Sequence, residues 1–432
     1  MGKPFGTNVP PCSRELRSLM KIATISSGFL PVIDGVTVSL DRRARCLAAR
    51  GHEVLILCPD YRSLAAIYPH WQDWIGEIYP RVRVVGLPSE SFMGVEFERN
   101  LGRAAKARLQ QELQAFEPDI VHVDEPDRIF LGLWTAPGVA YGRAQGIPCT
   151  GFYHTNFIDY IEDFFPLPGP AIAAIQWGSA QVMRRVFHAY DATLVSSPSA
   201  RDRIERMGVR NIICDRFLGI DLDAFVPQLQ DPHFFQTQYG IDDLQTRVKL
   251  VFVGRLTPDK GWGFTLQALQ EGVKNQPTWR DRLAILIAGD GEMRGKIERM
   301  RQAIGFPIHL LGRIPPAEIP ALLFNSDIHI TASEKETLGL TVLEAFAAGI
   351  PAIAPRAGGV VTLIRDGENG LLFTPRDRDS FEQAIARLVE NAPLRRKMGQ
   401  QGRQDAVSYG EEAAVTRLLE TWQAQLARQK AL

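Results

Sequence analysis

Apolar residues along this chain gather in short β-branched runs, separated by stretches where they recur at helical spacing. The runs "KIATIS", "EVLILCP", "RVRVVGLP", "PDIVHVDEP", "IPCTGFYHTN" and "ATLVSSPSARDRI" read as six strands, apolar enough to be covered on both faces. Helical patterns lie between them, among them Val38 to Ala49, closed by Gly51. The period then fails in "GIDLDAFVPQLQDPHFFQTQYGIDD". It resumes with "VKLVFVGRL", "LAILIAGDG", "IHLLGRI", "DIHITAS", "PAIAPRAGG" and "GLLFTP", again strand, loop and helix in turn. Such alternation predicts α/β architecture with parallel, doubly wound sheets. The expected organisation is a disordered extension over residues 1–19, one domain over 20–225 and a linker over 226–245. A second domain follows over 246–405, then a closing helix over 406–432 with Leu418, Leu419, Trp422 and Leu426 on one stripe. Two such domains face each other across a cleft, and ligands of these sheets bind outside the carboxyl ends of the strands.

A chain of 432 residues exceeds one compact core, which agrees with two domains. Its formal charge is zero, which argues against a nucleic-acid partner. The cations Arg99, Arg103, Lys106 and Arg108 read as a solvated helix face. Five scattered cysteines without a C-x-x-C pair fit reduced thiols, so the expected location is cytoplasmic. No apolar run is long enough to span a bilayer.

Several motifs fail on inspection. "GDGEMRGKI" has the wrong spacing for a phosphate loop and carries Ile297 where magnesium needs a hydroxyl, so Gly289 to Gly291 reads as a tight turn. Asp221 and Asp223 form a D-x-D, but beside apolar neighbours they read as turn and cap residues. No metal or other cofactor is expected. The strand-end loop "VFVGRLTPDKG" says more. After Gly254 it offers Arg255 and Lys260, and two fixed cations suit a diphosphate. In "SEKETLGLTVLEAFAAGIP" Thr341 and Glu344 have capping-box spacing. The same helix tip suits a phosphate, with Gly339 admitting close approach, Glu344 placed for ribose hydroxyls and Glu336 for a sugar beyond the diphosphate. Two carboxylates flanking a phosphate-binding helix tip match a nucleotide-sugar.

That stretch resembles the E-x7-E motif of retaining family-4 glycosyltransferases of GT-B fold, with two Rossmann-like domains. "GRLTPDKG", "DGENGLLF", "FLPVIDGV" and "FYHTN" resemble further blocks of the family, and the similarity runs from Met20 onward. The resemblance implies that Arg255 and Lys260 hold the diphosphate, while backbone at Leu340 and Thr341 meets phosphate. It implies that Glu344 binds ribose, Glu336 orients the transferred hexose, and His154 sits by its anomeric carbon. Arg313 occupies the place where the family's backbone contacts the base, and Gly35 would allow close approach of the first domain. Asp34 stands where the family has glycine, which bears on any phosphate contact by that loop. Asp124 and Glu125 end a strand on the expected cleft and are candidate acceptor ligands. The donor is a UDP- or GDP-linked hexose and the acceptor a hydroxyl compound. The region from "FYHTNFIDYIEDF" to Trp177 resembles the sulfolipid synthase and lipid mannosyltransferase branch. There Phe164, Phe165, Ile172 and Trp177 fit equally a helix packed on the sheet and a lipid acceptor met at the cytoplasmic membrane face. A GT-B nucleotide-sugar epimerase and a non-catalytic nucleotide-sugar-binding module are the alternative readings.

Overall fold

The structure is a computed structural model that describes residues 19–431 apart from 93–94, 157, 159–166, 243 and 305–306. The expected extension, but for Leu19, and the residues Phe164 and Phe165 lie outside the described residues.

The first sheet comprises β1 (Lys21–Ser26), β2 (Glu53–Pro59), β3 (Gly76–Tyr79), β4 (Val82–Leu87), β7 (Ile120–Asp124), β8 (Cys149–Phe152), β9 (Ala192–Val195) and β10 (Ile212–Cys214). A separate hairpin, β5 (Ser89–Phe92) and β6 (Val95–Leu101), extends beyond β4. The order in the sheet is β10-β9-β8-β7-β1-β2-β4-β3, parallel throughout except for β3. The second sheet comprises β11 (Val248–Val253), β12 (Leu283–Ala288), β13 (Ile308–Gly312), β14 (Ile328–Ile330), β15 (Ala352–Pro355) and β16 (Gly370–Phe373), in the order β13-β12-β11-β14-β15-β16. The parallel strands are buried almost end to end, as their unbroken Val, Ile and Leu runs require. Edge strand β3 and the hairpin had no clear apolar alternation to announce them.

Strand order locates the ligand crevices. In the first sheet the winding reverses between β1 and β7, and in the second between β11 and β14. Crevices open at such switch points, outside the carboxyl ends of the strands. The loops there are Ser27 to Asp34 and Asp124–Glu125 on one side, Gly254 to Lys260 and Ser333 to Leu340 on the other.

The last helix, Glu411–Lys430, does not stay with the second domain. Leu418, Leu419 and Trp422 are buried, with Trp422 5.1 Å from the His122 ring of the first sheet. Arg50, the C-cap of the Gly35–Ala49 helix, binds Glu412, anchoring the same end. The stripe was legible in the sequence, whereas the surface that receives it depends on tertiary contacts. Where the chain crosses back, the Ile220 amide donates to the Tyr409 carbonyl and the Glu411 amide to the Ile220 carbonyl, both at 2.9 Å. Burial raises the Glu411 carboxyl to about 7, with Asp221 and Glu412 adding to the rise and Arg42 and Arg45 opposing it. A raised carboxyl favours the fold while protonated, so its contribution is lost as pH rises from about 4.5 through about 7. Glu411→Gln is therefore expected to gain on the order of 1 kcal/mol of unfolding free energy at pH 8 and nothing at pH 4, measured by denaturant melts.

Candidate functional site

The second-domain wall begins where β11, β12 and β13 end together. Gly289 lies so close to Gly254 that an added Cβ would come within 1.8 Å of the Gly254 carbonyl oxygen, so only glycine fits this crossing. Gly289 to Gly291 is the tight turn expected, and the Arg294–Ile304 helix follows it. Arg255 then leaves the strand, and Lys260 sits on the short turn Pro258–Lys260. Lys260 Nζ lies 2.7 Å from Glu336 Oε1, so the predicted diphosphate cation and the predicted sugar carboxylate share one spot. Arg313 closes β13 half-exposed, with Nε 4.0 Å from Asp290 Oδ2.

The helix tip differs from the capping-box expectation. The helix is Leu340–Ala347, its N-cap is Gly339 at φ 100°, and no side chain caps it. Glu344 faces inward instead of folding back on its own backbone. The left-handed conformation at Gly339 explains why: it turns the chain into the helix where a Ser, Thr or Asp cap would have stood. The first amides, at Leu340 and Thr341, therefore keep the anion-binding character of an uncapped helix start.

Glu344 is buried, with Oε1 3.6 Å from Nη1 of Arg42 on the opposite wall. Burial raises its carboxyl, and Arg42 pulls in the other direction. Arg42 was not foreseen. It belongs to the Gly35–Ala49 helix, which begins three residues before the stretch read from periodicity because Asp34 caps it. Asp34 Oδ1 accepts from the Val36 and Thr37 amides at 2.9 Å, and Thr37 Oγ1 accepts from the Asp34 amide at 3.0 Å. That tip is thus filled by its own carboxylate and differs from the Gly339 tip in anion affinity. Gly35 faces Leu340, where a Cβ would lie 3.8 Å from Leu340 Cδ1.

On the first-domain wall, His154 follows β8 and is buried. Its Nε2 lies 2.7 Å from Asp124 Oδ1, while Asp124 Oδ2 pairs with Arg43. Burial alone would raise the Asp124 carboxyl, but Arg43 and His154 outweigh it and hold it well below the usual range. The bond between Asp124 Oδ1 and His154 Nε2 orients the imidazole ring and turns Nδ1 away from the carboxylate. His122, also beside Asp124, is pushed by burial down to about 4 and stays neutral. Glu125 takes hydrogen bonds from Ser27 Oγ and Thr155 Oγ1, and holds φ 53°. Asp124 and Glu125, expected as acceptor ligands, point inward in this structure. Both are almost fully buried, with oxygens bonded to Arg43 and His154 and to Ser27 and Thr155. Their place at a strand end was legible; the Arg43 and Ser27 partners that draw them inward were not.

The D-x-D at Asp221 is the turn expected, since its side chain accepts from the Asp223 amide at 3.1 Å. Among the helices near His154, Gly169–His188 carries Ile172 half-buried, whereas Trp177 is 69% exposed.

Known proteins match both walls. The Glycosyltransferase Family 4 profile matches residues 33–223, and the Glycosyl transferases group 1 profile matches residues 241–405. A GDP-mannose-dependent alpha-mannosyltransferase of Mycolicibacterium smegmatis is 30% identical over 405 residues, covering 93% of this chain and 94% of the relative. An alpha-monoglucosyldiacylglycerol synthase of Streptococcus pneumoniae is 25% identical over 362 residues, covering 82% of this chain and 75% of the relative. Among solved structures, sucrose-phosphate synthase from Thermosynechococcus elongatus superposes with a TM-score of 0.72 at 17% identity, over 94% of this chain and all of that one, which establishes the GT-B fold. The paired sheets, the cross-cleft carboxylates and these matches agree: the chain is a glycosyltransferase and belongs to family 4.

Proposed function

We propose that this enzyme is a retaining hexosyltransferase that moves a hexose from GDP or UDP to a lipid hydroxyl at a membrane surface. The observation that carries the reading is that Lys260 meets Glu336 in the loop leading into the uncapped Gly339 helix, that Glu344 lies buried in that helix, and that His154 on the facing wall bonds the same loop through Thr337. In this reading Glu344 takes the ribose hydroxyls, and the amides of Leu340 and Thr341 take a phosphate. Arg255 and Lys260 offset charge that builds on the leaving diphosphate. Glu336 accepts from hydroxyls of the hexose, and His154 meets the sugar from the facing wall. Arg313 flanks the base, and Gly35 closes over the phosphates beside Leu340. The acceptor attacks on the face the nucleotide leaves, and the departing phosphate takes its proton, so these protein cations carry the charge without a metal.

The M. smegmatis relative is named for GDP-mannose and the S. pneumoniae relative for a diacylglycerol product, which supports GDP-mannose as first donor and a glycerolipid as acceptor class. A surface on the first domain supports the lipid. The Gly169–His188 helix carries no Asp, Glu, Lys or Arg from Gly169 to Met183, then Arg184 and Arg185. Leu167, Ile175, Trp177 and Val182 are exposed there, with Leu131 and Trp134 at the end of the adjoining Pro126–Leu133 helix. Exposed Trp beside Arg suits the boundary of an anionic bilayer. No helix among the described residues is long and apolar enough to cross a membrane, so contact would be peripheral, and the reduced cysteines favour the cytoplasmic face.

The test is incubation with labelled GDP-mannose, UDP-glucose or their analogues and anionic vesicles containing diacylglycerol. Label is expected in the lipid phase, and Trp177→Ser with Trp134→Ser is expected to reduce both vesicle flotation and lipid labelling by about tenfold. Release of free hexose with no labelled lipid, or wild-type protein wholly unbound to vesicles, would overturn the lipid acceptor.

A further inference from the structure

Three successive carbonyls around Glu336 are held by donors from two sides. Asn156 Nδ2 donates to the Lys335 carbonyl at 2.9 Å, and Ser197 Oγ donates to the Thr337 carbonyl. The Gly359 amide donates to the Glu336 carbonyl at 2.6 Å. Thr337 Oγ1 then donates across the cleft to the His154 carbonyl at 2.6 Å. Asn156 and Ser197 belong to the first domain, so three of these four bonds join the domains. All of them land on His154 or within one residue of Glu336.

We propose that Asn156, Ser197 and Thr337 are a closure latch that sets the position of Glu336 against His154, so that the sugar-binding pair forms only when the two domains meet. The inference rests on the reading of Glu336 and His154 as the groups that touch the hexose. These three are positioning residues and touch no substrate. Their partners are backbone carbonyls, which leaves the Glu336 side chain free to pair with Lys260 or with a ligand. The backbone behind the loop is equally constrained. A Cβ on Gly359 would come within 2.1 Å of the Thr337 carbonyl oxygen, so the "AGG" segment fits the latched loop only as glycine. In an open cleft each latch donor would bind water instead, so removing one weakens the closed form selectively. A shift of an ångström between reacting groups is sufficient to slow chemistry strongly.

Thr337→Val keeps the β-branch and loses the hydroxyl, Thr337→Ser keeps the hydroxyl, and Asn156→Ala removes the second tie. Each is measured by steady-state transfer and by solution X-ray scattering with and without nucleotide diphosphate. The expected result is a fall in kcat of about tenfold for Thr337→Val and for Asn156→Ala at nearly unchanged donor KM, with Thr337→Ser close to wild type. Scattering is expected to report a larger radius of gyration for Thr337→Val and Asn156→Ala, and not for Thr337→Ser. Wild-type kcat and wild-type scattering in both variants would overturn the latch. So would Thr337→Ser failing as badly as Thr337→Val, since packing and not the hydroxyl would then be at work. Should the wild-type protein transfer no hexose to any acceptor, the functional reading fails, while the scattering comparison still decides the latch.

Discussion

Glu336→Ala is expected to lower hexose transfer by about a hundredfold while nucleotide diphosphate binds as tightly as before or tighter. The two directions follow from one contact. Lys260 Nζ sits 2.7 Å from Glu336 Oε1, with both side chains about a quarter exposed. Losing the carboxylate removes the group that orients the sugar hydroxyls, and that loss is felt in the transition state. It also leaves Lys260 with more charge to direct at the diphosphate, which strengthens or preserves nucleotide affinity. The Glu336 backbone is unaffected, because its carbonyl is held by the Gly359 amide. Stability should therefore change little, and Lys260 keeps Asp259 at 3.9 Å as a second carboxylate. Initial rates with saturating donor and calorimetric titration of GDP and UDP separate the two effects. Turnover within a few-fold of wild type would remove Glu336 from the reaction, and a parallel loss of rate and nucleotide affinity would make it a binding residue only.

The proposed donor side rests on patterns that a single sequence displays. Glycines at strand ends, an Arg and a Lys in one loop and two glutamates around a helix start are local patterns, and local patterns survive in a single chain of letters. The parallel strands were legible for the same reason: they are buried on both faces, so their apolar runs are unbroken. What the sequence did not disclose depends on residues far apart meeting in space. Arg43 and His154 bond Asp124 from positions 81 and 30 residues away, contacts that the strand-end sequence does not announce. Thr341 and Glu344 have capping-box spacing, yet the left-handed backbone at Gly339 starts the helix without them. At Asp34 the reverse holds: a carboxylate out of place in the family's glycine loop supplies a complete capping box. The latch residues Asn156, Ser197 and Thr337 have no sequence signature, because each donates to a backbone carbonyl.

Glu344→Gln carries the other large effect, and it separates binding from folding. A buried carboxylate that accepts both ribose hydroxyls through charged hydrogen bonds is worth about 2–3 kcal/mol, so nucleotide affinity is expected to fall by about thirtyfold or more. The same substitution should not weaken the fold. Burial raises the Glu344 carboxyl above its ordinary value, with Arg42 only partly opposing the shift. For an acid so raised, the contribution to stability is present at low pH and is lost as pH climbs through the folded-state value. The ionised carboxylate is the less favourable form at this buried place, so glutamine is not expected to weaken the fold, and Arg42 retains Glu411 as a nearby carboxyl. The variant is expected to melt at or above the wild-type temperature at pH 7, yet to gain almost nothing when nucleotide is added, whereas wild type gains in proportion to ligand bound. Wild-type affinity should also decline on acidification more steeply than the Glu344→Gln affinity, which keeps only the decline caused by protonation of the nucleotide's own terminal phosphate. Thermal melts with GDP and with UDP at several pH values test all of this and identify the donor's base from the nucleotide that stabilises. A variant that binds nucleotide normally would leave Glu344 as a partner of Arg42 alone, holding the two walls together without touching the donor.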